Sequence, residues 1–220
     1  MSSEHLPVWY RQIAMAMRQH IWLKAIATPL FIAVFFGVYL YLLKHPVYPT
    51  TIMPFTSLDK LIGFQPLAMP LYISLWVYVS LPPALLSTRR ELLNYGTAMT
   101  ITCLTGLLIF YFWPTAVPVA HIDWALYPNV DYLKTVDSAG NAFPSLHVAT
   151  ATFSAIWLNF LLNRFGAPRW LLGLNFAWCT GILYSTLAMR QHVVVDVLAG
   201  LALGMAVAQL SLRTQIKSQT

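Results

Sequence analysis

Four residues carry the chemistry that can be read from this chain. "GNAFPSLHVAT" (residues 140–150) holds Ser145 and His147, and "MRQHVVVDVLAG" (189–200) holds His192 and Asp196. His192 and Asp196 are four apart, so on a helix they share a face. Asp196 can accept a hydrogen bond from one ring nitrogen of His192, which fixes the tautomer and leaves the other as nucleophile or base. His147 is then a second proton carrier. Ser145 suits a helix N-cap and can offer its hydroxyl to an anion. Pro144 fits just before or within the first turn.

The elements that must position these residues are membrane spans. The chain is 58% hydrophobic and 9% charged, against about 25% charged in a typical soluble domain. Crossing ~30 Å of hydrocarbon takes about 20 apolar residues. Six stretches qualify, near 22–43, 67–86, 95–113, 147–163, 169–187 and 192–210. They leave no room for a separate soluble domain. The expected fold class is all-α, an integral membrane bundle of six transmembrane helices with an amino-terminal interfacial helix. Its divisions are a cytoplasmic amphipathic leader (1–21), the six-span domain (22–210) and a cytoplasmic tail (211–220).

Nine cations (Arg11, Arg18, Lys24, Arg89, Arg90, Arg164, Arg169, Arg213 and Lys217) fall on one side of this layout and four (Lys44, Lys60, Lys134 and Arg190) on the other. The positive-inside rule puts both termini in the cytoplasm, with a bacterial inner membrane as the expected location. The excess positive charge answers to that rule and to anionic headgroups rather than to nucleic acid. The fourth and sixth spans then both start on the outer side, which brings His147 and His192 together by topology alone. Two helix N-termini side by side offer free N–H groups, that of Leu146 among them, and partial positive charge to a phosphate. An Asp one turn inside a membrane helix costs about 2.5–3.5 kcal/mol on insertion scales and is by default a functional hypothesis. Two blander readings remain open: a polar pair that joins two helices, and a metal site of His147, His192 and Asp196.

Elsewhere, "VWYRQIAMAMRQHIW" separates polar from apolar residues at helical spacing and suits a surface-lying helix. The loop 44–66 holds one short helix capped by Thr56 or Ser57. The loop 114–146, with its prolines, aromatics and three aspartates, packs over the outer mouth. Cys103 and Cys179 read as small core residues. Phe143, Trp113 and Tyr184 suit either a lipid cleft or the interfacial belt and core, and Ser185, Thr186 and Gly181 can serve helix packing.

"FPSLH" (143–147) and "STLAMRQHVVVDVLAG" (185–200) together resemble the second and third signature motifs of the type 2 phosphatidic acid phosphatases, in particular the branch with inositol phosphorylceramide synthases. The resemblance implies His192 as a nucleophile that becomes a phosphohistidine, with Asp196 orienting it. It implies His147 as the acid that protonates the leaving alkoxide, and Ser145 with nearby backbone N–H groups as phosphate ligands. It needs no metal or other cofactor. The substrate it implies is a lipid phosphate or diphosphate, and the acceptor is water in a phosphatase or an alcohol in a transferase. A carrier that binds lipid phosphate without turnover is a third reading. The pattern departs from the family in its cations. "FYFWPTAVPVAH" lacks the first motif's Lys and Arg-Pro, and Ser185-Thr186 stands where Ser-Arg is usual. Arg190 is the candidate replacement. Lys134, His121, Gln191, Ser185 and Thr186 complete the candidate set.

Overall fold

The computed structural model describes residues 8–120, 122–128 and 140–217. An amphipathic helix α1 (Trp9–Arg18) leads into α2 (Ile21–Lys44). After a short strand β1 (Thr51–Ile52) comes α3 (Ser57–Leu61). Then follow a 3-10 turn (Pro66–Ala68), α4 (Met69–Ile73) and α5 (Leu75–Leu85). The chain continues as α6 (Arg89–Phe112), β2 (Thr115–Ala116), a 3-10 turn (Trp124–Leu126), α7 (Leu146–Arg164), α8 (Arg169–Ala188) and α9 (Val194–Lys217). Six of these segments are long and apolar enough to cross a membrane: Ile21–Lys44, Pro66–Leu85, Arg89–Phe112, Leu146–Arg164, Arg169–Ala188 and Val194–Lys217. The fold is the expected all-α bundle.

Three boundaries differ from expectation. The third span begins at Arg89 rather than 95, because Thr88 and Glu91 form a capping box that satisfies two backbone donors reciprocally. Glu91 also ion-pairs with Arg164 at the end of α7, so a charged stretch read as loop is held in the helix. The second span is interrupted at Ser74, which separates α4 from α5. The sixth begins at Val194, which leaves His192 in the turn before it, and α9 continues through most of the expected tail.

Helix α7 is the hub, packed against α5, α6, α8 and α9. Its Phe153 and Trp157 are fully buried. Parallel packing of α7 and α9 is fixed by close backbone approach. A Cβ on Gly200 would collide with the carbonyl of Ser145, and one on Gly204 with that of Ala149. Two turns further on, Trp157 Nε1 donates to Ser211 Oγ at 2.9 Å. The two helices therefore start level with each other. At that end, β1 and β2 pair in parallel, and Thr115 Oγ1 accepts the N–H of Phe143 at 2.8 Å, which anchors the approach to α7.

At the opposite end, Lys24 of α2 is buried. Its Nζ donates to the carbonyls of Ala16 in α1 and Ala84 in α5, at 2.8 and 2.9 Å. These carbonyls sit in the last turns of their helices, and that of Ala16 also accepts the Gln19 N–H at 3.2 Å. Cys103 and Cys179 are buried and unbridged, as expected of small core residues.

Candidate active site

Ser145 is the N-cap of α7, and its Oγ accepts the Val148 N–H at 3.2 Å. Pro144 stands just before that cap. The hydroxyl proton of Ser145 is not consumed by the capping bond. The N–H of Leu146, in the first turn, has no acceptor within the helix. Asp196 packs beside this cap, since its carbonyl accepts the Ser145 N–H at 3.1 Å.

The two histidines meet. His192 Nε2 lies 3.5 Å from His147 Nδ1, with ring centroids 5.5 Å apart. On its other side, His192 Nδ1 faces Asp196 Oδ2 at 3.7 Å. His192 is 6% exposed, and Asp196 and Ser145 are fully buried. His192 Nδ1 and Asp196 Oδ1 have no hydrogen-bond partner among the described residues. Such orphaned atoms cost stability and gather where a site is built for chemistry. A shift of less than 1 Å would close the His–Asp hydrogen bond, and catalytic contacts are often loose before substrate binds.

One expectation is corrected here. The start of α9 does not present its leading N–H groups to an anion. Asp196 Oδ2 accepts the N–H of Val193 at 3.0 Å, and Asp59 Oδ1, from α3, accepts that of Val194 at 2.8 Å. Two carboxylates already complement that helix end. The start of α7 carries no such carboxylate cap, since Ser145 caps it through its hydroxyl.

Arg190 is the cation expected to bind phosphate. Helix α8 ends in a Schellman motif: the N–H of Arg190 bonds the Leu187 carbonyl, and that of Gln191 the Thr186 carbonyl. Arg190 occupies the left-handed position, with φ 56°, where glycine is usual. Its guanidinium donates to the Asp59 carbonyl at 2.9 Å and lies over the Phe55 ring at 5.1 Å. One of its five donors is spent there. Gln191 is buried, and its amide Nε2 has no partner among the described residues. Ser185 and Thr186 are buried and donate their hydroxyls to their own helix, at the carbonyls of Ile182 and Leu183. Thr186 contributes through its main chain, whose carbonyl also accepts the His192 N–H at 3.2 Å. Lys134 and His121 lie outside the described residues.

Three neighbours of these residues were not anticipated from the sequence: Tyr72, Trp76 and Asp59. Tyr72 Oη sits 2.9 Å from His147 Nε2, and the rings stack at 4.8 Å. Trp76, one turn away, meets the same histidine edge-on at 6.3 Å. Their i, i+4 spacing in "MPLYISLW" was the available signal. Asp59 was legible only as part of the T-x-x-D cap, in which its Oδ2 binds Thr56 N and Oγ1 at 2.7 and 2.6 Å. Its bond to Val194, 135 residues on, was not. Of the aromatics considered, Trp113 and Phe143 pack together at 5.3 Å, and Tyr184 is exposed. Among the described residues no cluster of three His, Cys, Asp or Glu side chains could hold a metal ion. The arrangement brings two histidines into contact beside a buried carboxylate and the start of α7.

A family model, the PAP2 superfamily, matches residues 91–219. No curated protein and no solved structure matches the chain.

Proposed function

Because the chain belongs to the PAP2 superfamily, whose members are generally phosphatases or phosphotransferases, we propose that it is a lipid-phosphate phosphatase working through a phosphohistidine. One observation carries this reading. His192 turns Nδ1 toward a buried carboxylate and Nε2 toward the second histidine. That is the polarity a nucleophilic imidazole needs. His192 Nε2 attacks phosphorus, and the P–O bond to the lipid breaks. His147 delivers its proton to the leaving oxygen. Asp196 stabilises the imidazolium-like ring while phosphorus is bound. Water, deprotonated by His147, then attacks phosphorus, releasing phosphate and restoring His192.

Tyr72 holds the ring in the orientation this scheme requires. When His147 is the imidazolium, Nε2–H donates to the Tyr72 oxygen and the proton to be delivered sits on Nδ1, the nitrogen facing His192. The two nitrogens touch each other here, so a bound phosphoester must part the rings. Ser145, the N–H of Leu146, Arg190 and Gln191 hold the equatorial oxygens. We place the site on the outer face of a bacterial inner membrane, with both termini in the cytoplasm, on the strength of the cation distribution.

The test is phosphate release from a panel of lipid phosphates by purified protein, with and without alcohol acceptors. His192→Ala and His147→Ala should each abolish turnover while the protein stays folded. Full activity in His192→Ala refutes the mechanism. New lipid products that form only with an alcohol would make it a transferase, and tight binding without turnover a carrier.

A further inference from the structure

The loop between α2 and α4 is tied to the turn that carries His192. The N–H of Gln65 bonds the Ala188 carbonyl at 2.9 Å, Met53 shares a buried apolar cluster with Val193, and Arg190 lies over the Phe55 ring. Two further ties converge on Asp59, which is buried. Its main-chain carbonyl accepts from the Arg190 guanidinium at 2.9 Å, and its carboxylate Oδ1 accepts the Val194 N–H at 2.8 Å. Arg190 stands two residues before His192 and Val194 two residues after it. One residue therefore grips the chain on both sides of the histidine. The other N–H groups of this turn are satisfied locally. Those of Met189 through His192 go to carbonyls of α8, and that of Val193 goes to Asp196. Val194 instead depends on a segment 135 residues away.

We infer that Asp59 is a positioning residue for the reaction: by holding the first turn of α9 it sets the His192 imidazole against His147 and Asp196. The inference rests on the phosphohistidine reading above and deepens it. Asp59 reaches no reacting atom and acts through the main chain of Val194. A capping box needs only one carboxylate oxygen, on the N–H of the cap residue. Asp59 supplies that with Oδ2, which Thr56 binds through N and Oγ1 at 2.7 and 2.6 Å. These two donors fix the carboxylate plane and leave Oδ1 for the start of α9, where a negative charge also suits the helix dipole. The strap has a second footing. Its β1 pairs with β2, and Thr115 of β2 holds the Phe143 N–H just ahead of α7. Both histidine-bearing turns are thus referred to one strap, and the contact between their rings, 3.5 Å at the nearest nitrogens, depends on it. A displacement of about 1 Å in such a group can cost about a hundredfold in rate.

The bond can be cut from either side. Asp59→Ala removes the acceptor and keeps the main-chain carbonyl that holds Arg190. Val194→Pro removes the donor and leaves Asp59 intact. Val194 is the first residue of α9, a position where proline is favoured. Thr56→Ala is the control, because it uncaps α3 and leaves the bond to α9 in place. With purified full-length protein in detergent, Asp59→Ala and Val194→Pro should lower kcat on a lipid phosphate alike, by about ten- to a hundredfold, with KM little changed. The double variant should be no slower than the slower single, as for two ends of one interaction. Thr56→Ala should keep its rate even as the lost cap lowers its midpoint of unfolding. Spectra of protein labelled with 15N-histidine, with lines assigned from His147→Ala and His192→Ala, read the same bond without chemistry. The His192 imidazole signals should move in Asp59→Ala and Val194→Pro and stay in Thr56→Ala. A normal kcat in Asp59→Ala, losses that multiply in the double variant, or a Thr56→Ala protein as slow as Asp59→Ala would each overturn the inference. Val194→Pro carries the test if Asp59→Ala does not fold. If no lipid phosphate is turned over, the phosphatase reading falls, and unmoved His192 signals would still overturn the role of Asp59.

Discussion

At the scale of single residues, the site spends stability on position. Arg190 stands in a left-handed conformation that costs a non-glycine residue about 1–2 kcal/mol. The fold holds it there with the Asp59 carbonyl and the Phe55 ring. Two substitutions separate its backbone from its side chain. Arg190→Ala and Arg190→Gly should lose activity alike, by about 10- to 150-fold for a charge-assisted hydrogen bond worth roughly 1.5–3 kcal/mol. The glycine variant should nevertheless be the more stable by about 1 kcal/mol, read as the difference between their midpoints of unfolding in detergent. Equal stability would mean that the left-handed backbone carries no strain. Tyr72 is a positioning residue and calls for a different readout. Tyr72→Phe removes the hydrogen-bond partner of His147 Nε2 but keeps the stacked ring. Turnover of an alkyl phosphate should fall by about tenfold, roughly one hydrogen bond. Turnover of p-nitrophenyl phosphate, whose leaving group needs no proton, should hardly change. A merely structural tyrosine would depress both equally.

At the scale of elements, the site depends on two parallel helices meeting at backbone distance. Gly200 and Gly204 let α9 lie against the first turns of α7, as small residues spaced by four do in membrane packing. This contact sets Asp196 beside the Ser145 cap. Gly200→Ala puts a methyl group into the Ser145 carbonyl, which is backbone and cannot swing aside. The expected cost is about 1–3 kcal/mol of stability, as for overpacking elsewhere. Activity should drop with it, because the cap, the His192–Asp196 pair and the α7 start move together. A thermal unfolding curve and a rate on the same sample check both. A variant with normal stability and a normal rate would show that the helices can separate freely. The interrupted second span is the other positioning device. The break at Ser74 sets α4 apart from α5 and brings Tyr72 under His147.

At the scale of the whole molecule, the sequence was most informative where topology did the work. Hydropathy gave six spans, and the parity of those spans brought His147 and His192 to one end. Ser145 and Asp196 followed because capping and i, i+4 spacing are local rules. What stayed hidden depends on contacts between distant segments. Nothing in "TSLDKL" says that Asp59 caps a helix beginning at Val194, or that this carboxylate together with Asp196 occupies the helix end expected to receive phosphate. The break at Ser74 stayed hidden for a related reason. Its hydroxyl accepts from Trp178 Nε1 at 2.8 Å, a partner on another helix, while the apolar pattern runs on without interruption. The extension of the third span to Arg89 also needed a distant partner, since Glu91 is tolerated there with Arg164 beside it.

Lys24 bears on how such a chain is made. Its two acceptors arrive at different times: Ala16 precedes it by eight residues, and Ala84 follows it by sixty. While the chain is being synthesised, the first span therefore enters the bilayer with an ammonium that has only half of its final partners. The long stem of a lysine lets the charge wait at the headgroup level. The end of α5 then closes the second bond. The first span is thereby fastened only once the second has followed it, by a residue that was translated early.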